Sequence, residues 1–183
     1  MRANRVTEEH LQKLSEIFPD RLITTGLKRY RIDQVGDDRY GADPGAVVFP
    51  KDAQEVSALL RFANEYRVPV TPRGGGSGLA AAAAPVAGGI VCCFDRMNRI
   101  VEIDPDNLMV TVEPGVVTNR LDEELKPHGL FFAGYPMSED ICQIGGNVAE
   151  NAGGGRAVKY GTTATYVIGA EVVLPSGDIV QLG

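Results

Sequence analysis

The segment Arg73-Gly74-Gly75-Gly76-Ser77-Gly78-Leu79 narrows the fold more than any other part of the chain. Four glycines within residues 74–78 rule out a stable helix or strand interior, because glycine loses the most backbone freedom on ordering. The apolar run Val68-Pro69-Val70-Thr71 just before it reads as a strand. A bare backbone leaving a strand end suits an anion such as a pyrophosphate. Amide N–H groups neutralise the charge, no side chain blocks the approach, and glycine accepts the positive φ angles of a tight turn. Pro72 leads into the loop. Arg73 offers either a positive charge for the anion or one half of a structural ion pair.

The flanking segments define the frame. Ala46-Val47-Val48-Phe49, between Pro44-Gly45 and Pro50, reads as a buried strand. Asp52 and Glu55 form a capping-box pattern for the next helix, in which Val56, Leu59, Leu60, Ala63 and Tyr66 share a face. Strand, helix and strand at this spacing make a βαβ unit with its first two strands parallel, and residues 89–94 supply a third strand. Before it, residues 7–18 read as a helix with His10 exposed, and residues 20–45 as irregular connection. After Asp95, residues 98–103 and 108–113 alternate around Asp104-Pro105-Asp106-Asn107, an antiparallel hairpin. A helix over residues 118–126 follows, ended by Pro127 and Gly129, with His128 at its C-terminus. A second glycine-rich segment spans residues 144–161, and a last hairpin turns at Pro175-Ser176-Gly177. The fold class is α+β. Residues 1–44 form an N-terminal helix and connection. A domain covers residues 45–183, with a parallel βαβ subdomain at about 45–96 and an antiparallel one at about 97–183.

Three readings of the first loop follow from its residues alone. A Walker A loop requires Gly-Lys-Ser/Thr, and Gly78-Leu79-Ala80 excludes it. Gly76-Ser77-Gly78-Leu79-Ala80-Ala81 satisfies a dinucleotide G-x-G-x-x-A pattern, with Asp95 at the end of a later strand. That reading needs a long helix behind the loop, whereas Pro85 and Gly88-Gly89 leave room for barely two turns. A ligand-free glycine turn is the third.

Two separated motifs then resemble one family. Residues 70–79, with the lead-in 44–56, look like the first FAD loop of the FAD-linked oxidases related to vanillyl-alcohol oxidase. Val112-Glu113-Pro114-Gly115-Val116 resembles that family's second hairpin strand. Residues 144–154 and Lys159-Tyr160-Gly161 resemble the glycolate oxidase D-subunit and D-lactate dehydrogenase branch. The resemblance covers residues from about 30 to 183 and implies a PCMH-type FAD-binding fold, with a flavin held between two α/β subdomains. It implies that Pro72 to Leu79 hold the pyrophosphate, with Arg73, Gly74, Gly75, Gly76, Ser77 and Gly78 between them. It implies that Pro136, Met137 and Ser138 occupy a Pro-Ser-Ser element. Gly145, Gly146, Asn147, Asn151, Gly153 and Gly154 pass near the ribityl chain and ring, and Tyr160 and Gly161 close the site. Asn147 and Asn151 equally suit caps or turns, and Tyr160 equally suits a core aromatic.

The family comparison also sets limits. Some relatives attach FAD through a histidine where this chain has Ser77, so the cofactor is expected to be non-covalent. Ala80 to Ala84 replace further glycines, Gln143 replaces Ser or Thr, and Met137 replaces Ser. Relatives continue well past residue 183 with a substrate-binding cap. The resemblance therefore implies the FAD-binding portion of an enzyme oxidising a 2-hydroxy acid by hydride transfer to flavin N5. A non-catalytic flavin module, or one completed by a partner chain supplying cap and C-terminal segment, is the alternative. A reductase of the type making UDP-N-acetylmuramate shares the fold, but the Asn-Ala-Gly-Gly and Lys-Tyr-Gly runs favour the oxidase branch. The catalytic residues are unassigned. No metal-ligand spacing is seen, and the three cysteines, Cys92, Cys93 and Cys142, read as small buried hydrophobes. A net charge of −6 without a basic run argues against nucleic acid. No apolar run approaches the ~18 residues of a membrane span, and no secretory signal is seen, so the cytoplasm is the expected location.

Overall fold

The computed structural model describes residues 4–183. Its elements are α1 (Glu8–Ile17), β1 (Leu22–Ile23), β2 (Ala46–Val48), α2 (Ala53–Tyr66), β3 (Val70–Arg73), β4 (Ile90–Cys93), β5 (Ile100–Asp104), β6 (Met109–Val112), α3 (Thr118–Leu125), α4 (Ile144–Ala149), α5 (Ala157–Tyr160), β7 (Ala170–Val173) and β8 (Ile179–Leu182). They form two compact units, one of residues 1–96 and 169–183, the other of residues 97–168. A mixed α/β content with one parallel-cored sheet and antiparallel hairpins agrees with the α+β reading.

The first unit is built on a sheet of order β1-β2-β4-β3. β2 and β3 run the same way, as a βαβ unit requires, but each pairs with β4, which lies between them. Every residue of β2 and β4 is buried, the mark of a strand covered on both faces. Alternation separates their side chains into two cores. Ala46, Val48, Ile90 and Cys92 pack with Leu14, Phe18, Leu59 and Phe62. Val47, Val91 and Cys93 pack with Tyr30 on the other face. Cys92 and Cys93 are therefore back to back. Burial pushes the Cys93 thiol up to about 12 and the Cys92 thiol higher still, so both stay neutral and inert.

Three local expectations change. Residues 20–45 are not wholly irregular: Leu22 and Ile23 pair antiparallel with Val48 and Val47. A two-residue strand has no sequence signal of its own, because its partner stabilises it. His10 is buried rather than exposed. Its Nδ1 accepts from the Thr7 amide while Thr7 Oγ1 accepts from the His10 amide, and its ring packs on Phe62 and Tyr66. The capping box at Asp52 is half present. Asp52 accepts from the Glu55 amide at 2.9 Å, but the Glu55 carboxylate turns to the Lys51 amide and Arg21.

That Arg21–Glu55 pair yields a stability prediction. Arg21 Nη2 donates to Glu55 Oε1 at 2.7 Å, Nη1 donates to Oε2, and Nη1 also reaches the Phe49 carbonyl at 3.1 Å. Burial pushes the Glu55 carboxyl up, but the Arg21 fork and the Lys51 amide prevail and hold it below its ordinary 4.5. A carboxyl depressed in the folded state contributes stability above its unfolded value and loses it as pH falls through its folded value. Arg21→Ala is expected to cost about 2 kcal/mol near neutral pH. In urea titrations the gap from wild type should close below about pH 4.5. A gap that stays constant in acid would show that packing, not the ion pair, was lost.

The polar stripe Ser57, Arg61 and Asn64 on α2 receives the turn of the β7–β8 hairpin. Ser57 Oγ donates to the Gly177 carbonyl, Arg61 pairs with Asp178 at 2.8 Å, and Asn64 Nδ2 reaches the Pro175 carbonyl at 2.6 Å. Sequence order attaches this hairpin to the second subdomain, whereas here it packs within the first unit. The second unit holds the β5–β6 hairpin, with Ile100, Ile103, Val110 and Val112 covering Val116, Leu121 and Leu125.

Candidate functional site

In the first unit the glycine loop leaves the C-terminal end of β3, where Arg73 registers with Cys93 of β4. Arg73 resolves its two sequence readings toward organisation of the loop. Its Nη1 donates to the carbonyls of Ile32 at 3.0 Å and Ala83 at 3.2 Å, and its guanidinium lies 5.8 Å from the centre of the Tyr30 ring. Gly76 lies close over that guanidinium. Its φ is +69°, and a Cβ there would fall 2.2 Å from Arg73 Nη2. The Gly76 carbonyl accepts from the Gln34 amide at 2.9 Å. The architecture of the loop therefore demands a glycine at residue 76.

Gly78 is different. Its φ is ordinary, and a Cβ would meet only Asp33 Oδ2, at 3.9 Å. Nothing in the protein itself forbids a side chain at that position. Asp33 is 7% exposed. Its Oδ1 accepts from the Val35 amide at 3.0 Å, and its Oδ2 is a buried oxygen without a hydrogen-bond partner. No helix follows the loop. Residues 80–89 make turns instead, with Ala81 at φ 58° and Gly88 and Gly89 also positive. The dinucleotide pattern at Gly76 to Ala81 thus lacks the helix that gives it meaning.

In the second unit the glycine-rich segment opens with α4. Gly145 packs on the Pro114 turn, where a Cβ would stand 2.6 Å from Pro114 Cβ. Gly146, one residue on, has nothing within 4 Å of a built Cβ. A helical glycine with open space beside it costs up to about 1 kcal/mol relative to alanine. The protein's own packing gives it no reason to be there.

The two asparagines both bond to the protein, Asn147 from a buried position and Asn151 from an exposed one. Asn147 is 2% exposed, and its Nδ2 donates to Thr118 Oγ1 at 2.7 Å, which in turn contacts the Cys142 carbonyl and Sγ. Asn151 adopts φ 49°, and its Oδ1 accepts from the Ala164 amide at 2.9 Å. Asn151 therefore takes the cap-and-turn role left open by the sequence, whereas Asn147, inside α4, is a buried tertiary anchor. Thr118 and Cys142, absent from the sequence reading, hold Asn147. No sequence signal marks them, since the contact joins residues 118, 142 and 147 through tertiary packing.

Gly154 fits against the segment containing Pro136 and Met137, where a Cβ would fall 2.2 Å from the Tyr135 carbonyl and 3.0 Å from Pro136 Cα. Gly153 touches Thr162, and Gly161 takes φ +83°. Pro136 is buried, Met137 is 83% exposed, and the Ser138 carbonyl accepts from the Ile141 and Cys142 amides. Tyr160 packs edge-to-face on Phe131, and its carbonyl accepts from the Tyr166 hydroxyl. Of the loop's outer residues, Pro72 and Leu79 are exposed, while Gly74, Gly75 and Ser77 are half-buried. His10 lies under α2, and His128 is exposed behind α3, so neither histidine belongs to a glycine-rich segment. Among the described residues there is no cluster of three His, Cys, Asp or Glu fit for a metal. No helix among them is long and apolar enough to cross a membrane.

Comparison with known proteins agrees with this geometry. A family described as FAD binding domain matches residues 44–183. The chain is 46% identical to the glycolate oxidase subunit GlcD of Bacillus subtilis over 79% of its own length and 31% of that protein. It is 38% identical to a D-lactate dehydrogenase of Anaerostipes hadrus over 98% of its length and 38% of that protein. It thus spans about a third of these relatives. Among solved structures, p-cresol methylhydroxylase superposes with a TM-score of 0.80 at 25% identity, over 100% of this chain and 37% of that one. An alkyldihydroxyacetonephosphate synthase gives 0.85 at 24% identity, over 99% and 39%, and shows the fold.

Proposed function

We propose, from the premise that this chain belongs to the FAD binding domain family, that it holds the cofactor of an enzyme oxidising a 2-hydroxy acid of the glycolate or D-lactate type. The cofactor is FAD, and the relatives are flavoprotein oxidoreductases. The substrate and the hydride step are our inference, supported by the names of those relatives. When bound, FAD supplies flavin N5 as the hydride acceptor for conversion of a 2-hydroxy acid to a 2-oxo acid.

The observation that carries the cofactor assignment to residues is the pair Gly78 and Gly146. Both have room for a side chain, neither is forced into positive φ, and each lies in a glycine-rich segment. A bare backbone without an internal reason fits a ligand that must approach it closely. In this reading Pro72 to Leu79 offer amides to the pyrophosphate. Gly145, Gly146, Gly153 and Gly154, with Pro136, Met137, Ser138, Tyr160 and Gly161, line the remainder. Asn147, buried, and Asn151, exposed, brace the second segment through their bonds to Thr118 and Ala164. Ser77 offers no imidazole, so the cofactor is held without a covalent bond. The groups that grip the substrate carboxylate and move its hydroxyl proton come from a further segment or a partner chain. Support for this comes from the relatives named above, of which this chain spans about a third.

Purified chain mixed with FAD and then desalted should keep the flavin absorbance. Retention of NAD in place of FAD would favour the dinucleotide reading. Loss of both FAD and FMN, even with the remaining segments of a relative supplied in trans, would remove the site assignment.

A further inference from the structure

The segment beneath the first loop is more than a connection. The Ile32 carbonyl accepts from Arg73, and the Gln34 amide donates to the Gly76 carbonyl, so residues on both sides of Asp33 are tied to the loop. Asp33 itself is buried, and its Oδ1 is committed to the Val35 amide. Its Oδ2 has no partner and lies on the side of Gly78 where a side chain would project. A buried acceptor left unpaired costs about 1–3 kcal/mol, more if charged, so it calls for a donor. A carboxylate beside a pyrophosphate loop repels the phosphates and must face a group that carries a hydrogen. The sugar hydroxyls flanking the pyrophosphate are such donors. A cation is the other formal solution, but Asp33 belongs to no cluster of His, Cys, Asp or Glu that could hold one.

We infer that Asp33 is a cofactor-binding residue whose Oδ2 accepts a hydrogen bond from a sugar hydroxyl adjoining the pyrophosphate, with Gly78 giving the passage. The inference rests on the assignment of the first loop to FAD. It also gives Gly78 a second reason to lack a side chain, since any substituent there would stand over Oδ2.

The test is FAD titration of wild type, Asp33→Asn and Asp33→Ser, alongside thermal unfolding of the cofactor-free proteins. Both variants keep an oxygen for the Val35 amide, and both remove the charged acceptor at Oδ2. A hydrogen bond to a charged acceptor is worth about 1.5–3 kcal/mol, so FAD should bind about 10–150-fold more weakly. The unfolding midpoint should stay level or rise in Asp33→Ser, where the unpaired buried oxygen is gone, and stay level in Asp33→Asn, where an uncharged amide nitrogen takes its place. ADP competition separates the two sugars. If the substitutions weaken ADP as much as FAD, the donor is the adenosine ribose. If ADP competes equally with wild type and variants, the donor is the ribityl chain. FAD affinity within twofold of wild type in both variants would overturn the inference. So would a fall in affinity matched by a fall in midpoint, which marks a purely structural carboxylate. A wild-type chain that cannot hold FAD would instead sink the loop assignment, and this inference with it.

Discussion

Gly78→Val is expected to lower FAD affinity at least ~100-fold while leaving the cofactor-free protein folded and as stable as wild type. The magnitude follows from the contacts at stake. Each charge-assisted hydrogen bond from a backbone amide to a phosphate is worth about 1.5–3 kcal/mol, and a branched side chain at the mouth of the loop displaces at least one or two. The lack of a folding penalty follows from the structure. Gly78 has ordinary φ, and only Asp33 Oδ2, at 3.9 Å, faces its missing Cβ. Gly78→Ala should even add about 0.5 kcal/mol to stability by restricting the unfolded chain. Affinity thus falls along the series Gly, Ala, Val while stability does not. Gly76→Val makes the contrast. It forces a Cβ onto the Arg73 guanidinium at positive φ, so binding and stability should fall together. Isothermal titration with FAD and unfolding of the free protein read the two quantities separately. If Gly78→Val binds FAD as wild type does, the first loop is not part of the site.

This contrast between neighbouring glycines also marks where sequence reading stops. The loop, the hairpins and the helices around it are legible because their signals are local: glycine runs, Asp104 to Asn107 as turn formers, Asp52 ahead of an amphipathic stretch. A sequence treats Gly76 and Gly78 alike. Only the path of the Arg73 side chain, tied to Ile32 and Ala83, divides a glycine kept for the fold from one kept for a ligand. The same holds for the asparagines. Their chemistry suits a ribityl hydroxyl or a backbone cap equally, and only the tertiary bonds to Thr118 for buried Asn147 and from Ala164 for exposed Asn151 show which protein groups they meet. The central place of β4 is likewise non-local, since β2, β3 and β4 have similar apolar character and only pairing ranks them. Asp33 gave no signal at all. It lies in a stretch without periodicity, and its meaning comes from burial under a loop some forty residues later in the chain.

Gly154→Ala is expected to be the most destabilising single methyl in the second glycine-rich segment, at about 3 kcal/mol. The added Cβ would stand 2.2 Å from the Tyr135 carbonyl, 3.0 Å from Pro136 Cα and 3.1 Å from the Met137 amide nitrogen. All three are backbone atoms, so no rotamer change relieves the contact. Either residues 135–137 or residues 153–155 must move. Arg156 binds the two stretches further by stacking 4.6 Å from the Tyr135 ring, so displacement on one side reaches the other. Gly146→Ala, eight positions earlier, should do the reverse. With open space at its Cβ and a helical backbone, it should stabilise the cofactor-free protein by up to about 1 kcal/mol and weaken FAD. Hydrogen exchange of the amides in residues 134–163 measures the first effect, and FAD titration the second. Faster exchange in Gly154→Ala, together with slower exchange and weaker FAD binding in Gly146→Ala, separates packing glycines from ligand glycines within one segment. If Gly146→Ala leaves FAD affinity unchanged, α4 does not meet the cofactor, and the first loop alone must account for its binding.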